Sequence, residues 1–164
     1  MTGPFRLHEA GTSFTVRVER AAGRWQVQRL AADAAVELPD LERALGPAGE
    51  SWPGPFVLVV DSRLYLVVLR HGPGGMVRAL ISDVALPEFV LAAEVVERYG
   101  ISVGDAADES RRHGGDIDVL TDDGLPASEL RAIVTAEDLF ADEMAVRIAE
   151  RLGFAAELTA AVSS

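Results

Sequence analysis

Residues 56–82 constrain the fold most, because three runs of strand-forming residues follow one another there with only two short breaks between them. The first two runs, residues 56–60 and 64–69, are continuously apolar and rich in valine, which is typical of strands covered on both faces. The breaks at residues 61–63 and 71–75 hold the polar residues and glycines that tight turns require. We therefore predict three consecutive antiparallel strands at the centre of one sheet.

Patterns on either side of this stretch add a hairpin and two helices. Residues 14–19 alternate between apolar and polar side chains, and residues 25–28 alternate again, which predicts a first hairpin. A short helix is predicted at residues 39–45 and a longer one at residues 85–99. The order β-β-α-β-β-β-α predicts an α+β protein with an antiparallel sheet of about five strands and both helices on one face. The predicted core positions in the helices are Leu38, Leu41 and Leu45, then Leu86, Phe89, Val90, Ala93 and Val96.

The composition divides the chain into three regions. Residues 1–103 form the predicted sheet domain, which begins with a loose arm over about twelve residues. Residues 104–118 are polar and are expected to be a linker or mobile loop. Residues 119–164 carry three short helical stripes, which must pack together or onto the sheet because short helices are not stable singly. Their apolar positions are Leu130, Ile133, Val134, Met144, Ile148, Leu152, Phe154, Leu158 and Val162.

The composition also excludes several kinds of chemistry. The chain has no cysteine, so thiol catalysis, disulfides and thiolate zinc sites are excluded, and it has no lysine for a Schiff base or a Walker-type phosphate loop. Its formal net charge of -11 argues against direct binding to a nucleic-acid backbone and favours a basic partner. No apolar run suits a leader or a membrane span, so we expect a cytoplasmic protein. We predict no cofactor and no metal.

Five titratable residues are candidates for catalysis. The histidines His8, His71 and His113 are scattered and lack a partner at a recognised spacing, so loop roles are favoured over a general base or a metal site. Asp61 and Asp83 are interpreted as lying at opposite ends of neighbouring strands, where a carboxylate pair could do acid–base work. Turn and cap roles explain them more simply, with Asp83 or the preceding serine capping the long helix.

Several segments share a pattern with one known family. The matching pieces are the strands at residues 57–60 and 64–70, the tripeptide Ile81-Ser82-Asp83, Leu125, residues 128–130 and, above all, the run Ile-Ala-Glu-Arg-Leu-Gly-Phe-Ala at residues 148–155. From about Phe14 onward the chain resembles the tRNA adenosine deaminase-associated protein family of high-GC Gram-positive bacteria. The resemblance implies association with the deaminase that makes inosine at the tRNA wobble position. It brings no catalytic residues.

Three hypotheses about function stay open. The preferred one is a non-catalytic accessory module that binds another protein, by resemblance a tRNA adenosine deaminase. The second is a self-associating structural protein, and the third is an acid–base enzyme that uses Asp61, Asp83 and a loop histidine. We therefore predict no catalysis by the chain alone, and no direct contact with nucleic acid or membrane.

The surface that we predict for the partner lies in the acidic helical region. Residues 119–164 hold nine carboxylates and three arginines, a balance that disfavours a DNA-binding role for these helices. The simpler alternative is that the carboxylates only solvate the helices and cap their first turns. The predicted partner-binding residues are Asp122, Asp123, Glu137, Asp138, Asp142 and Glu143.

Overall fold

The computed structural model describes residues 13–30, 37–49, 53–86, 88–102 and 112–163. The predicted N-terminal arm and most of the predicted linker lie outside these residues. The strands of the described chain form one antiparallel sheet in the spatial order β2-β1-β3-β4-β5-β6. They are β1 (Phe14–Ala21), β2 (Arg24–Arg29), β3 (Phe56–Asp61), β4 (Tyr65–His71), β5 (Val77–Ile81) and β6 (Gly114–Gly115).

The centre of the sheet confirms the prediction from residues 56–82. The strands β3, β4 and β5 are consecutive and antiparallel, and Val67 of β4 lies opposite Val59 on one side and Ile81 on the other. Val59 and Val67 are almost fully buried, and so are the residues that alternate with them. Burial on both faces is the reason that these strands read as continuous apolar runs.

One strand has no counterpart in the prediction. Gly114 and Gly115 form β6, which pairs with Ile81 and Leu80 at the edge of the sheet. A Cβ atom on Gly115 would lie 2.1 Å from the carbonyl oxygen of Ala79, and the φ angle of this residue is +92°. The backbones approach so closely that only glycine fits there.

The helices cover both faces of the sheet. α1 and α2 pack on one face, which confirms the predicted α+β arrangement, and the three C-terminal helices pack on the other. Phe154 is fully buried at that second face, with its ring centroid 5.2 Å from Trp25 and 6.1 Å from Phe56. The helices are α1 (Leu38–Leu45), α2 (Val90–Arg98), α3 (Ala127–Val134), α4 (Ala141–Leu152) and α5 (Ala155–Ser163).

The long helix is the element that the sequence predicted least well. It begins at Val90, five residues later than predicted, and Val90 is 69% exposed instead of buried. The buried face consists of Leu91, Ala92 and Val95. Apolar residues occur almost all round this helix, so their spacing did not define which face meets the sheet.

The expected cap of this helix was also wrong, because Phe89 occupies the N-cap position. Ser82 instead extends the pairing of β4 and β5: its hydroxyl accepts the Leu66 N–H at 2.9 Å and its own N–H donates to the Leu66 carbonyl at 3.0 Å. The carboxylate of Asp83 accepts the Ala85 N–H at 2.9 Å, which makes a local turn.

Candidate interaction surface

The six predicted partner-binding carboxylates divide into two groups by burial. Asp123 and Asp142 have side chains only 4% exposed, and each forms an ion pair inside the protein. The exposed members are Asp122, Glu137, Asp138 and Glu143. The two buried carboxylates hold the fold together, so the exposed four are the ones available at the surface.

Asp123 holds a buried arginine of the central strand. The 3-10 turn Thr121–Asp123 places its carboxylate beside Arg70, whose side chain is 3% exposed and ion-pairs with it. The same guanidinium donates to the carbonyl oxygens of Val119 at 3.1 Å and Gly54 at 3.0 Å. Burial raises the pKa of Asp123, and the Arg70 charge opposes that rise. This pair ties β4 to two loops.

Asp142 holds an arginine of the β3–β4 turn. The Arg63 Nε donates to Asp142 at 2.9 Å, and the Arg63 carbonyl accepts the Ala141 N–H, also at 2.9 Å. The guanidinium carbon of Arg63 lies 4.2 Å from the centroid of the Phe140 ring. The start of α4 is therefore fixed on the hairpin turn by three separate contacts.

Three of the four exposed carboxylates lie in or next to the α3–α4 turn, close in sequence to the start of α4. Glu143 lies in the first turn of α4 and accepts the Phe140 N–H at 3.0 Å, where negative charge also suits the helix dipole. Glu137 and Asp138 lie in the turn between α3 and α4. Asp122 lies in a different turn, before α3.

An open groove of about 380 Å³ runs between α3 and α4, next to the same turn. Its apolar lining includes Ile133 and Leu139, and Asp138 lies on its rim. Arg151 and Glu129 form an ion pair across one side, and this hydrogen bond lowers the pKa of Glu129. The groove therefore has an apolar lining and lies next to the acidic residues of the α3–α4 turn.

The structure corrects the predicted placement of Asp61 and Asp83. The strands β3 and β5 run in the same direction on either side of β4, so both residues lie at the same end of their strands, about 10 Å apart at the usual strand spacing. The Tyr65 hydroxyl donates to Asp61 at 2.7 Å, and burial together with this carboxylate raises the pKa of Tyr65. The Ser13 and Ser62 hydroxyls also donate to Asp61.

The histidines are not gathered around these carboxylates. His71 lies at the far end of β4, about 20 Å from Tyr65 at the rise of a strand, and its ring nitrogens lie 2.7 Å and 3.2 Å from the Gly46 and Gly75 carbonyls. Burial and Arg131 lower the pKa of His113. His8 lies outside the described residues. Within the described chain, no group of three or more metal-ligating side chains is placed to hold an ion.

Comparison with known proteins places the chain in a family. The family described as Rv3753c-like tRNA adenosine deaminase-associated protein matches residues 13–155. The chain belongs to this family. It is 34% identical over 152 residues to "Protein Rv3753c" of Mycobacterium tuberculosis, an alignment that covers 91% of this chain and 87% of that protein. No solved structure matches the chain significantly.

The family match includes the whole candidate surface. The hairpin turn with Arg63, the α3–α4 turn and the first turn of α4 all lie within residues 13–155. None of the described helices is long and apolar enough to cross a membrane.

The sequence did not single out Arg63, Leu64 or Phe140. Leu64 was placed in a strand, whereas the structure places it in the turn before β4, where it is 44% exposed. Phe140 is 50% exposed at the N-cap of α4. The one signal in the sequence was the spacing of Phe140 and Glu143, because a carboxylate three residues after a helix cap often accepts the N–H of the cap residue.

Proposed function

We propose that this chain is a non-catalytic accessory protein of the cytoplasm that binds a tRNA adenosine deaminase. The description of its family, which matches residues 13–155, carries this proposal. The family description names association with the enzyme and not the deamination itself. The absence of cysteine supports a non-catalytic role, because the zinc-dependent nucleobase deaminases hold their metal with cysteine thiolates.

The net charge favours contact with the enzyme over contact with tRNA. A tRNA-binding surface must be rich in arginine and lysine, and this chain carries a formal net charge of -11 with no lysine. A deaminase that binds tRNA needs a basic surface of its own, and an acidic partner is complementary to such a surface. Complementary charge speeds association and weakens as salt is added.

The exposed carboxylates at the start of α4 form the surface proposed for this contact. Glu137, Asp138 and Glu143 are exposed together there, on the side of the sheet that carries the C-terminal helices. Glu97 is an exposed carboxylate on α2, which packs on the opposite face of the sheet. It therefore serves as a control site for charge reversal away from the proposed surface.

Affinity purification from the native cell followed by mass spectrometry tests the proposal. The wild-type chain is expected to enrich the tRNA adenosine deaminase of that cell over an unrelated acidic bait. The double variant Glu137→Arg, Asp138→Arg is expected to lose most of this enrichment, whereas Glu97→Arg retains it. A wild-type chain that enriches no deaminase would contradict the proposal, and equal loss in both variants would contradict the assigned surface.

A further inference from the structure

Two exposed apolar residues, Leu64 and Phe140, lie close to each other along the backbone where α4 begins. Among the described residues, the strongly exposed large apolar side chains are Leu64, Met76, Val90 and Phe140. Leu64 and Phe140 adjoin each other because the Arg63 carbonyl accepts the Ala141 N–H at 2.9 Å, which joins the two backbones at neighbouring residues. Met76 lies at the opposite end of the strands, between β4 and β5, and Val90 lies on α2.

The Phe140 ring is held in place although half of its surface is exposed. Its own N–H donates to Glu143 at 3.0 Å, and the Arg63 guanidinium carbon lies 4.2 Å from the ring centroid. Arg63 is in turn held by Asp142, which is buried. A side chain that is already fixed loses little conformational entropy on binding, which is the property of the aromatic anchors at protein interfaces.

The turn that carries Arg63 is built at a conformational cost. Ser62 and Arg63 have φ angles of 55° and 62°, in the left-handed region where hairpin turns usually place Asn or Gly. Strained residues persist where the surrounding contacts fix them, and they cluster at functional sites. Here the arginine at the strained position provides the contacts to Asp142 and Phe140 that keep the ring fixed.

The charges around the two apolar side chains define the chemistry of a partner. Arg63 forms ion pairs with Asp142 at 2.9 Å and with Glu143 at 4.0 Å. Two further carboxylates, Glu137 and Asp138, are exposed in the α3–α4 turn that leads to Phe140. An apolar centre with an acidic rim is complementary to an apolar recess surrounded by arginine or lysine side chains.

We propose that Leu64 and Phe140 form the anchor of a docking surface for a basic protein partner, with Phe140 inserted into an apolar recess of that partner. The inference rests on the proposed function, since the partner it commits to is the tRNA adenosine deaminase. It goes further by assigning the contact to two apolar side chains, with the carboxylates acting as the rim.

The first test compares variants of the full chain in binding to the purified deaminase encoded by the same genome. Phe140→Ala is expected to raise the dissociation constant about thirtyfold, and Leu64→Ser is expected to raise it about tenfold, as for central interface residues. Met76→Ala removes an even more exposed apolar side chain, at the opposite end of the central strands, and is expected to change binding less than about twofold. Binding by Phe140→Ala within twofold of wild type overturns the docking surface while leaving the proposed function intact.

If the wild-type chain does not bind the deaminase, the proposed function is overturned. The second test then shows whether the docking surface is also overturned. p-Benzoylphenylalanine is placed at Glu137, or at Met76 as the control, and the crosslinked protein in the native cell is identified by mass spectrometry. The docking surface stands if position 137 alone captures a protein with a basic surface whose purified form loses tenfold or more in affinity with Phe140→Ala. Capture of a second copy, or equal capture from both positions, overturns it.

Discussion

The guanidinium of Arg70 and the carboxylate of Asp123 form an ion pair in which both side chains are almost completely buried, at 3% and 4% exposure. Arg70 lies on the central strand β4, and Asp123 lies in the turn that leads to α3. The pair therefore joins the sheet to the layer of C-terminal helices. A buried charge of this kind is costly once its partner is removed.

Asp123→Ala is expected to lower the free energy of unfolding by about 3–5 kcal/mol, because it leaves the Arg70 guanidinium buried beside no carboxylate. Asp122→Ala is the matched control: its side chain is exposed in the same turn, and the change is expected to stay within about 0.5 kcal/mol. Urea unfolding followed by circular dichroism measures both. Equal effects of the two substitutions would show that the ion pair is not buried in solution.

The stability of the chain is expected to fall in alkaline solution through Tyr65. Burial and Asp61 raise the pKa of its hydroxyl well above the usual value of 10.0, so the folded state keeps the proton while the unfolded chain loses it above that pH. The stabilisation by the Tyr65 hydroxyl is therefore fully present below about pH 10 and is lost at up to about 1.4 kcal/mol per pH unit above it.

Tyr65→Phe tests directly whether stability falls with rising pH because of the Tyr65 hydroxyl. At pH 8 the variant is expected to be about 1.5–3 kcal/mol less stable than wild type, since it lacks the hydrogen bond to the Asp61 carboxylate. The difference should shrink between pH 10 and pH 11, measured by urea unfolding at each pH. Tyr99 has a similarly raised pKa and is present in both proteins, so it does not affect the comparison. A difference that stays constant with pH would contradict the assignment.

The C-terminal helices are expected to unfold together with the sheet. Phe154 is fully buried between Trp25 and Phe56, so Phe154→Ala should lower the free energy of unfolding by about 3–5 kcal/mol in a single transition. Phe140→Ala deletes the same side chain from an exposed position and should cost about 1 kcal/mol or less. Two separate transitions, seen by tryptophan fluorescence and circular dichroism, would contradict the shared core.

The edge strand β6 depends on one glycine. Gly115 has a φ angle of +92°, and Gly115→Ala would bring a Cβ atom to 2.1 Å from the Ala79 carbonyl oxygen. The substitution is expected to lower the free energy of unfolding by about 3 kcal/mol. Gly23→Ala has a comparable φ angle of +78° with no atom within 4 Å of its added Cβ, and it should cost about 1 kcal/mol. Thermal unfolding compares the two, and similar values would mean that β6 is not closely paired.

The centre of the fold was predictable because its signal is local. Residues 56–60 and 64–69 are apolar on every position, and strands covered on both faces produce this pattern directly. The leucines of α1 were predicted correctly for the same reason, since polar residues separate Leu38, Leu41 and Leu45 into one clear face. In α2 apolar residues surround the helix: the predicted core positions Leu86, Phe89 and Val96 pack against the core, whereas Val90 and Ala93 are exposed.

The candidate surface was only partly predictable because burial of a charge depends on distant residues. Asp123 pairs with an arginine 53 positions earlier in the chain, and Asp142 with one 79 positions earlier. No pattern within the acidic region distinguishes these two carboxylates from their exposed neighbours. The exposure of Phe140 likewise follows from the way α4 docks on the β3–β4 turn, which is distant in sequence.

Titration of the purified chain against the deaminase of its host, and separately against tRNA, tests the central claim most directly. Calorimetry at low and at moderate salt gives the dissociation constant for each pair. We predict binding to the enzyme that weakens as salt is added, and no binding to tRNA at either salt concentration. Binding to tRNA but not to the enzyme would contradict it.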